Sequence, residues 1–362
     1  MKDFSNMPLC LSFDDVMITP RHSTIKSRSE PNTKTKIGTI SVDIPIISSP
    51  MDTVTESAMA LAMATAGGMG IIHRFLDPSR QASMLRDVLN RIEETDSLNK
   101  DVENSYGRVG VAIGTGDTEL ERLKVILSKV GRDRVTTVAI DVANGFSSYM
   151  KDMIQRVRDL GGERLNIIAG NVATGDGYSY LSSSGANAVR VGIGGGSICR
   201  TRIQTGIGIP TLSSVMDCSR WRGADVRSAS IIADGGIRYP GDLAKSIAAG
   251  ADAIMVGRIL AGSYEAPGDI QDGYKVYRGM ASEEVQIEKR GGLKPGTCAE
   301  GVSTKMKITG RASETLGEFR GGLVSSMTYV DAKTLDEFRL NSSFVRITSA
   351  GMEESHAFGT KK

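Results

Sequence analysis

The stretch of this chain with the clearest chemical character is a glycine-rich loop that leads into a cysteine. Residues 191–202 read Val-Gly-Ile-Gly-Gly-Gly-Ser-Ile-Cys-Arg-Thr-Arg, with four glycines in the five positions from 192 to 196. Glycine accepts positive φ and lets other groups approach the backbone, so such a loop can wrap an ion or a phosphate. The N–H dipoles of the loop, together with Arg200 and Arg202, should favour the thiolate of Cys199. The loop therefore predicts a covalent nucleophile.

The composition is that of an ordinary globular protein. The chain has 362 residues, 40% hydrophobic and 24% charged, which suffices for a barrel domain of roughly 250 residues with extensions. A net charge of +2 gives no support to a nucleic acid or a membrane surface as partner. The apolar runs are only strand-sized, and the N-terminus lacks the apolar core of a signal peptide. We therefore expect a cytoplasmic protein.

The cysteines and histidines do not form a framework of their own. The four cysteines (Cys10, Cys199, Cys218 and Cys298) lack CxxC spacing, and the three histidines are dispersed. Neither a disulfide framework nor a zinc site is expected. Cys218 lies in an apolar helical pattern and is predicted to be in the core. His73 follows an apolar strand and is predicted to be structural rather than a base.

From about residue 44, short β-branched runs alternate with amphipathic helical stretches. Eight runs are predicted as strands: 44–48, 69–73, 109–113, 136–141, 165–169, 188–192, 230–233 and 253–256. The helices between them include 56–66, 79–92, 118–130, 147–160 and 241–249. Eight such repeats predict an α/β fold, a (β/α)₈ TIM barrel, with an open parallel sheet as the alternative. A polar excursion over 262–310 and a final helix from Ser313 would form a C-terminal extension.

Glycine-rich segments follow the predicted strands, at positions that form the ligand-binding face of a barrel. They are Gly114-Thr-Gly116, Gly170-Asn171, Gly192–Gly196, Asp234-Gly-Gly236 and Gly257. Taken alone, Asp234-Gly235-Gly236 is a plain turn. Beside the other glycine loops it suits a carboxylate that binds a sugar diol, with N–H groups facing a phosphate, to which Gly257 could also donate.

At this level of detail the chain resembles the IMP dehydrogenase / GMP reductase family over nearly its full length. The matching segments are Phe13-Asp-Asp-Val16, Met51-Asp-Thr53, Ile72-His-Arg74, Asp141-Val-Ala-Asn-Gly145, Ala169-Gly-Asn171, the Cys199 loop, Ile232-Ala-Asp-Gly-Gly236, Tyr277-Arg-Gly-Met280 and Glu300-Gly301. The resemblance implies that Cys199 attacks C2 of a purine 5′-monophosphate. In the reductase, ammonia leaves GMP and NADPH delivers hydride to give IMP. In the dehydrogenase, hydride leaves IMP for NAD⁺ and water releases XMP.

Three features favour the reductase branch, GMP reductase. The loop that begins at Asp141 resembles the reductase form, with this acid near the nicotinamide. Glu300 follows Met280 by 20 residues, as in reductases, and no Arg-Tyr pair of the water-activating dehydrogenase flap lies between them. Nothing between His73 and Gly110 is long enough to be an inserted regulatory module. We therefore expect a single catalytic domain over residues 1–362.

The resemblance also implies catalytic roles. Thr201 and Glu300 match a relay that passes a proton to the departing ammonia, and Thr115 matches a threonine of the same relay. The alternative for both threonines is turn capping. Arg74 stands where many reductases have a lysine that serves the ammonia step, and an arginine holds charge but does not readily donate a proton.

Binding residues follow from the same resemblance. The nucleotide would contact Ser197, Asp234, Gly235, Gly236, Gly257, Arg258, Gly279 and Met280. The NADPH cofactor would contact Asp141, Asn144, Gly145, Met280 and Ala281, and Ser325 and Tyr329 would reach the cofactor of a neighbouring subunit in a homotetramer. Tyr329 as a packed aromatic residue is the alternative. K⁺ would be held by carbonyls of Gly194, Gly196 and Cys199.

Several alternatives stay open at this stage. Thr297 stands where reductases often have an arginine near the cofactor phosphate, so NADH or NAD remains an alternative to NADPH. The segments Phe344–Gly351 and Glu354-Ser-His356 look more like a dehydrogenase tail that helps to bind K⁺, or they are a solvated tail. The alternative functions are an IMP dehydrogenase, a reductase of a related purine (deoxy)nucleotide, and a nucleotide-binding protein without catalysis.

Overall fold

Eight parallel strands form a closed barrel in the computed structural model, which describes residues 7–96, 106–223, 228–290, 292 and 298–355. Three short strands precede the barrel: β1 (Val16–Ile18), β2 (Thr35–Ile37) and β3 (Ile40–Val42). The barrel strands are β4 (Ile46–Ser48), β5 (Met69–Ile72), β6 (Val109–Ile113), β7 (Thr137–Asp141), β8 (Asn166–Val172), β9 (Ala188–Val191), β10 (Ser230–Asp234) and β11 (Ala253–Val256). They pair in chain order, and β11 pairs with β4 to close the ring. The predicted TIM barrel is confirmed, and the open-sheet alternative is wrong.

Helices follow the barrel strands, and the longer ones pack on the outer face of the barrel. They are α1 (Ser57–Thr65), α2 (Pro78–Asp96), α3 (Asp117–Val130), α4 (Ser148–Gly161), α5 (Gly175–Ser183), α6 (Thr201–Thr205), α7 (Thr211–Arg222), α8 (Pro240–Ala248) and α9 (Arg258–Ala261). In α3 the buried residues Leu120, Leu123, Leu127 and Val130 recur at helical spacing and form one apolar face. The five helices predicted from periodicity all coincide with observed helices.

The barrel interior is a buried apolar cluster, and the layer of side chains above it is polar. Its members include Ala139, Ala188 and Ile232, and Ile37 of β2 belongs to the same cluster and closes the N-terminal end of the barrel. Side chains along a strand alternate between the two faces, so residues two positions further on also point inward, one layer higher. Those residues are Asp141, Arg190 and Asp234. The periodicity of the barrel thus brings three charged groups to its C-terminal mouth.

The chain after the barrel forms a ribbon over the mouth and a C-terminal extension. Its elements are β12 (Tyr274–Arg278), α10 (Glu283–Arg290), β13 (Ser303–Lys307), α11 (Ala312–Tyr329), α12 (Leu335–Asn341), β14 (Phe344–Arg346) and α13 (Ser349–Glu354). Strands β12 and β13 pair antiparallel within the predicted polar excursion. The predicted final helix is α11.

The described part of the C-terminal tail forms regular structure, although most of its residues are exposed. Strand β14 pairs antiparallel with β1, and the Ile347 N–H donates to the carbonyl of Asp15. The tail is thereby tied to the N-terminal segment, whose Phe13 and Asp14 line the mouth of the barrel. Both Thr297 and His356 lie outside the described residues. Among the described helices, none has the length and apolarity needed to span a membrane.

The buried side chain of Lys275 connects strand β12 of the ribbon to the loop that follows α9. The Lys275 ammonium on β12 donates to the carbonyls of Ser263, Tyr264 and Ala266 at 3.1, 3.0 and 2.5 Å. The side chain is buried, and this burial lowers the pKa of Lys275. Its three donors therefore satisfy three backbone carbonyls of the loop 263–266.

We predict that Lys275→Met lowers the free energy of unfolding by about 2–3 kcal/mol, because buried carbonyls lose their donor. Chemical denaturation measures this loss. Lys305→Met is the matched control, since Lys305 is exposed on the paired strand β13 and its loss should change stability by less than about 0.5 kcal/mol. Equal effects of the two substitutions would contradict the assignment.

Candidate active site

A cavity of about 700 Å³ opens at the C-terminal mouth of the barrel. Its walls come from loops after six of the barrel strands, from the N-terminal segment and from the ribbon. The predicted site residues that line it are Arg74, Asp141, Gly194, Gly196, Ser197, Cys199, Thr201, Asp234, Gly235, Gly236, Gly257, Arg258, Gly279, Met280, Ala281 and Glu300. Residues distant in sequence are thus brought to one cavity of a size that suits a small ligand.

A hydrogen-bonded chain joins the predicted nucleophile to a carboxylate. The Cys199 thiol donates to Thr201 Oγ1 at 3.2 Å, and the Thr201 hydroxyl donates to Glu300 Oε2 at 2.7 Å. All three side chains are partly buried, and all three line the cavity. The geometry provides a path along which a proton can move between the sulfur and Glu300.

Main-chain pairing holds this chain together. The Arg200 N–H donates to the Glu300 carbonyl at 2.7 Å, and the Val302 N–H donates to the Ile198 carbonyl at 3.1 Å, so the two bonds flank Cys199. On its other side, the Glu300 N–H donates to the Ala281 carbonyl at 3.1 Å. The segment around Glu300 is therefore fixed between the nucleophile loop and the residues that follow β12.

Arg202 anchors the nucleophile loop at its base. Its guanidinium donates to the carbonyls of Ile193 and Ile209, at 3.2 and 2.5 Å. Burial lowers the pKa of Arg202. Arg200, by contrast, is exposed. Of the two arginines predicted beside the cysteine, Arg202 therefore also has a structural function in the loop.

Two glycine loops touch where a phosphate is predicted. Gly235 has φ +92°, and a Cβ atom on it would lie 2.9 Å from both Gly195 C and Gly196 N. Any side chain there would force the two loops apart. On the opposite wall, a Cβ on Gly257 would lie 3.0 Å from the hydroxyl of Tyr277. These glycines all line the cavity, so two of its walls are formed by backbone without side chains.

Tyr277 is a cavity residue that sequence reasoning did not assign to the site. Its ring is buried while its hydroxyl reaches the cavity beside Gly257, and burial raises the pKa of Tyr277. The phenol thus remains a neutral donor near neutral pH. Its position in the segment Tyr277-Arg-Gly-Met280, already recognised as a motif, was the available signal.

Two further polar residues, Arg190 and Asn171, were also missed. Arg190 donates to Asp141 Oδ1 at 2.5 Å and to Asp234 Oδ2 at 2.9 Å, and Asn171 Nδ2 donates to the same Asp234 oxygen at 2.7 Å. The signal was an arginine inside the otherwise apolar strand Ala188–Val191, because a buried strand rarely holds an unpaired charge.

The loops after β5, β6 and β7 hold the other candidates. Arg74 packs over the Phe75 ring and lies 3.5 Å from the Asp141 carbonyl, and its buried Nε has no partner within the described residues. Thr115, Asn144 and Gly145 follow neighbouring strands but do not line the cavity. The assigned role of Thr115 in the relay stays a prediction.

His73, the residue before Arg74, lies outside the cavity, as expected for a structural residue. It is buried, its Nδ1 accepts the Phe75 N–H at 3.1 Å, and its Nε2 lies 3.3 Å from Glu56 Oε1. This hydrogen bond lowers the pKa of Glu56.

The residues predicted to serve a neighbouring subunit lie on α11, away from the cavity. Tyr329 is 61% exposed, so it is not a packed aromatic within this chain. Ser325 lines a separate surface groove with Arg28 and Arg320. Their placement leaves both side chains outside the cavity of their own chain, and their contact with a neighbour's cofactor stays a prediction.

Comparison with known proteins identifies the family. The model of the IMP dehydrogenase / GMP reductase domain matches residues 10–358. The chain belongs to this family. Its relatives are oxidoreductases, and the predicted single domain without a regulatory module remains a prediction.

The relatives represent both branches of the family. The chain is 36% identical to the inosine-5′-monophosphate dehydrogenase of Cryptosporidium parvum over 389 residues, covering 96% of this chain and 94% of that protein. It is also 36% identical to the GMP reductase of Klebsiella pneumoniae over 348 residues, covering 94% and 95%. The family match therefore leaves the direction of the reaction to be argued from the site.

A solved structure matches the whole fold. It is a cysteine-to-alanine variant of GMP reductase from Trypanosoma brucei in complex with guanosine 5′-monophosphate. The TM-score is 0.85 at 28% identity, and the alignment covers 98% of this chain and 99% of that one.

We predict that iodoacetamide at pH 8 modifies Cys199 and spares Cys218. Cys218 is buried in α7, and burial raises the pKa of its thiol to about 12, so almost no thiolate is present at pH 8. Peptide-resolved mass spectrometry separates both from the exposed Cys10 and Cys298. Saturating GMP should protect Cys199 alone. Labelling of Cys218 at the same rate as Cys199, or no protection by GMP, would contradict the assigned nucleophile.

Proposed function

We propose that this protein is a GMP reductase, which converts GMP to IMP and ammonia with NADPH through a covalent bond between Cys199 and C2 of the purine. The observation that carries the proposal is the hydrogen-bonded chain from Cys199 through Thr201 to Glu300 beside the glycine loops. It joins a nucleophile, a proton path and a phosphate-sized cradle in one cavity. The 20-residue spacing from Met280 to Glu300, without an Arg-Tyr pair, favours the reductase direction.

The first half of the reaction removes the amino group. As Cys199 Sγ bonds to C2, the thiol proton passes through the Thr201 hydroxyl to Glu300. The bond between C2 and the amino nitrogen then breaks, and the leaving nitrogen receives a proton back from Glu300 through Thr201, so ammonia departs. General acid help of this kind accelerates such a step by about 10²–10⁴-fold.

The second half restores the enzyme. NADPH, when bound, would supply a hydride to C2. The C2–S bond breaks, IMP leaves with hydrogen at C2, and the Cys199 thiolate takes up one proton from water to return to the thiol that begins the cycle. Across both halves one hydride and one proton are consumed for each ammonia released.

Binding and orientation come from the surrounding residues. The free oxygen of Asp234 would accept the ribose hydroxyls, and the N–H groups of Gly235, Gly236 and Gly257 would face the 5′-phosphate with the Tyr277 hydroxyl. Arg258, which lines the same wall, would add a guanidinium to the phosphate contacts. Arg74 would hold positive charge beside Asp141 without donating its proton. The proton for ammonia is therefore assigned to Glu300.

The remaining assignments concern the cofactor, the cation and the assembly. NADPH would lie along Asp141, Asn144, Gly145, Met280 and Ala281, with Ser325 and Tyr329 supplied by a neighbour in a cytoplasmic homotetramer. K⁺ fits the carbonyls of Gly194, Gly196 and Cys199. In the described part of the chain the Gly194 and Cys199 carbonyls accept no hydrogen bond, and that of Gly196 accepts only the Cys199 N–H. A bound cation would stiffen the loop that carries the nucleophile.

The second candidate is an IMP dehydrogenase that oxidises IMP to XMP with NAD⁺. Two observations favour it: the equal identity to a dehydrogenase, and the strand β14, which belongs to the dehydrogenase-like tail. Both functions use the same nucleophile and differ in the fate of the adduct.

The test is nicotinamide absorbance at 340 nm with GMP plus NADPH, and separately with IMP plus NAD⁺ and K⁺. We expect GMP-dependent oxidation of NADPH, its loss in Cys199→Ala, and a kcat about 10²–10³-fold lower in Thr201→Val with little change in KM. Reduction of NAD⁺ with formation of XMP would overturn the reductase assignment.

Thr205→Val is the matched control for the Thr201 substitution. Thr205 lies on the same short helix α6 and is exposed, and its hydroxyl donates to the Thr201 carbonyl and accepts the Ile207 N–H. Its kcat should stay within about threefold of the wild type. A similar loss in both variants would assign the effect to the helix rather than to the relay.

A further inference from the structure

Arg190 occupies an unusual position inside the barrel. It lies on β9, its side chain is 7% exposed, and it forms ion pairs with Asp141 of β7 and Asp234 of β10. These carboxylates stand at opposite sides of the arginine strand, and both line the cavity. A single guanidinium therefore connects the cofactor side of the cavity with the side proposed for the ribose.

The strand between Arg190 and Asp141 makes this connection sterically feasible. In the strand register Asp141 pairs with Gly170, and Gly170 pairs with Arg190. A Cβ atom on Gly170 would lie 2.6 Å from the Cβ of Arg190. Because β8 has no side chain at this point, the arginine can cross it and reach the next strand.

Each carboxylate is held through one oxygen and keeps the other available. Asp234 Oδ2 accepts from Arg190 and from Asn171, whose amide also donates to the Gly192 carbonyl at 2.8 Å. Asp141 Oδ1 accepts from Arg190. Within the described residues no hydrogen bond is made to Asp234 Oδ1 or Asp141 Oδ2. The arginine thus sets the orientation of both carboxylates while leaving each one free to bind a ligand.

The chemistry of this group favours a positioning role over a purely stabilising one. Two carboxylates and one guanidinium carry a net charge of −1, and buried ion pairs contribute little net stability because desolvation offsets their attraction. The Arg190 Nε is also buried without a partner among the described residues. An arginine matches two acceptors in a fixed fork, which a lysine cannot do.

We propose that Arg190 is a positioning residue that couples the nucleotide subsite to the nicotinamide subsite. The proposal rests on the proposed function, in that a ribose binds Asp234 and a nicotinamide nucleotide lies beside Asp141. A diol bound to Asp234 fixes that carboxylate and hence the guanidinium, which in turn fixes Asp141. The cofactor then binds to an acid that is already oriented, so less ordering accompanies its binding.

The test measures binding without turnover. Isothermal titration calorimetry gives the Kd of the oxidised cofactor, NADP⁺ or NAD⁺, with and without saturating GMP. The oxidised cofactor has no hydride to transfer to GMP, so the complex does not turn over. We expect GMP to tighten cofactor binding by at least about fivefold in the wild type. In Arg190→Lys the ratio of the two Kd values should fall to within about twofold of one, because an ammonium cannot hold both carboxylates in fixed orientation.

A second variant keeps the test decisive if Arg190→Lys fails to fold. In Asp141→Asn the new side chain has the shape of the old one, and Asp141 is the more exposed partner of its ion pair with Arg190. This variant should abolish the GMP effect on cofactor binding, whereas GMP alone should still bind. Asp14→Asn is the matched control, since Asp14 lines the same cavity and pairs with Arg238 instead. Its ratio should equal that of the wild type.

Three results would overturn the proposal. The GMP effect could be absent from the wild type, could persist in Arg190→Lys or Asp141→Asn, or could disappear equally in Asp14→Asn. A wild type that binds no GMP would overturn the proposed function as well. That result differs from the other three because no heat of GMP binding would then be seen.

Discussion

Two main-chain hydrogen bonds between the nucleophile loop and the Glu300 segment are the constraint on which this site depends. They flank Cys199. They also bring the Glu300 carboxylate, 99 residues from Thr201 in the sequence, within hydrogen-bond distance of the Thr201 hydroxyl. Backbone bonds have fixed geometry, so side-chain mobility does not decide whether the three groups meet. The ribbon of β12 and β13, which Lys275 anchors, positions the Glu300 segment at the barrel mouth.

The barrel supplies the rest of the site through its layered interior. Apolar residues fill the lower layers, and the alternation of side chains then places Asp141, Arg190 and Asp234 in the layer that meets the cavity. Small residues at the same level, such as Gly170 and Gly235, leave room for charged groups or loops to approach one another. The same inward-facing positions that fill the apolar core therefore place charged side chains at the mouth, one layer higher.

The chain is equally identical to a dehydrogenase and to a reductase. Under the proposed mechanism, both directions use attack of a cysteine on C2, a phosphate site and a carboxylate for the ribose. In that proposal the two branches differ in the segment near Glu300 and in the loop at Asp141. A small number of residues around a common adduct would then separate two reactions on one fold.

The sequence by itself determined the barrel and its eight strands, and it predicted the nucleophile loop and the glycine loops around it. These features are local, because periodicity and glycine spacing act over a few residues, and the family motifs added predicted roles for Thr201 and Glu300. Only the tertiary structure decided that Arg190 joins Asp141 and Asp234, that Tyr277 reaches the cavity, and that Thr115 does not line it. Such contacts depend on strand register and barrel closure, which join residues far apart in the chain, so the local sequence can mark Arg190 or Tyr277 as unusual without giving its partner.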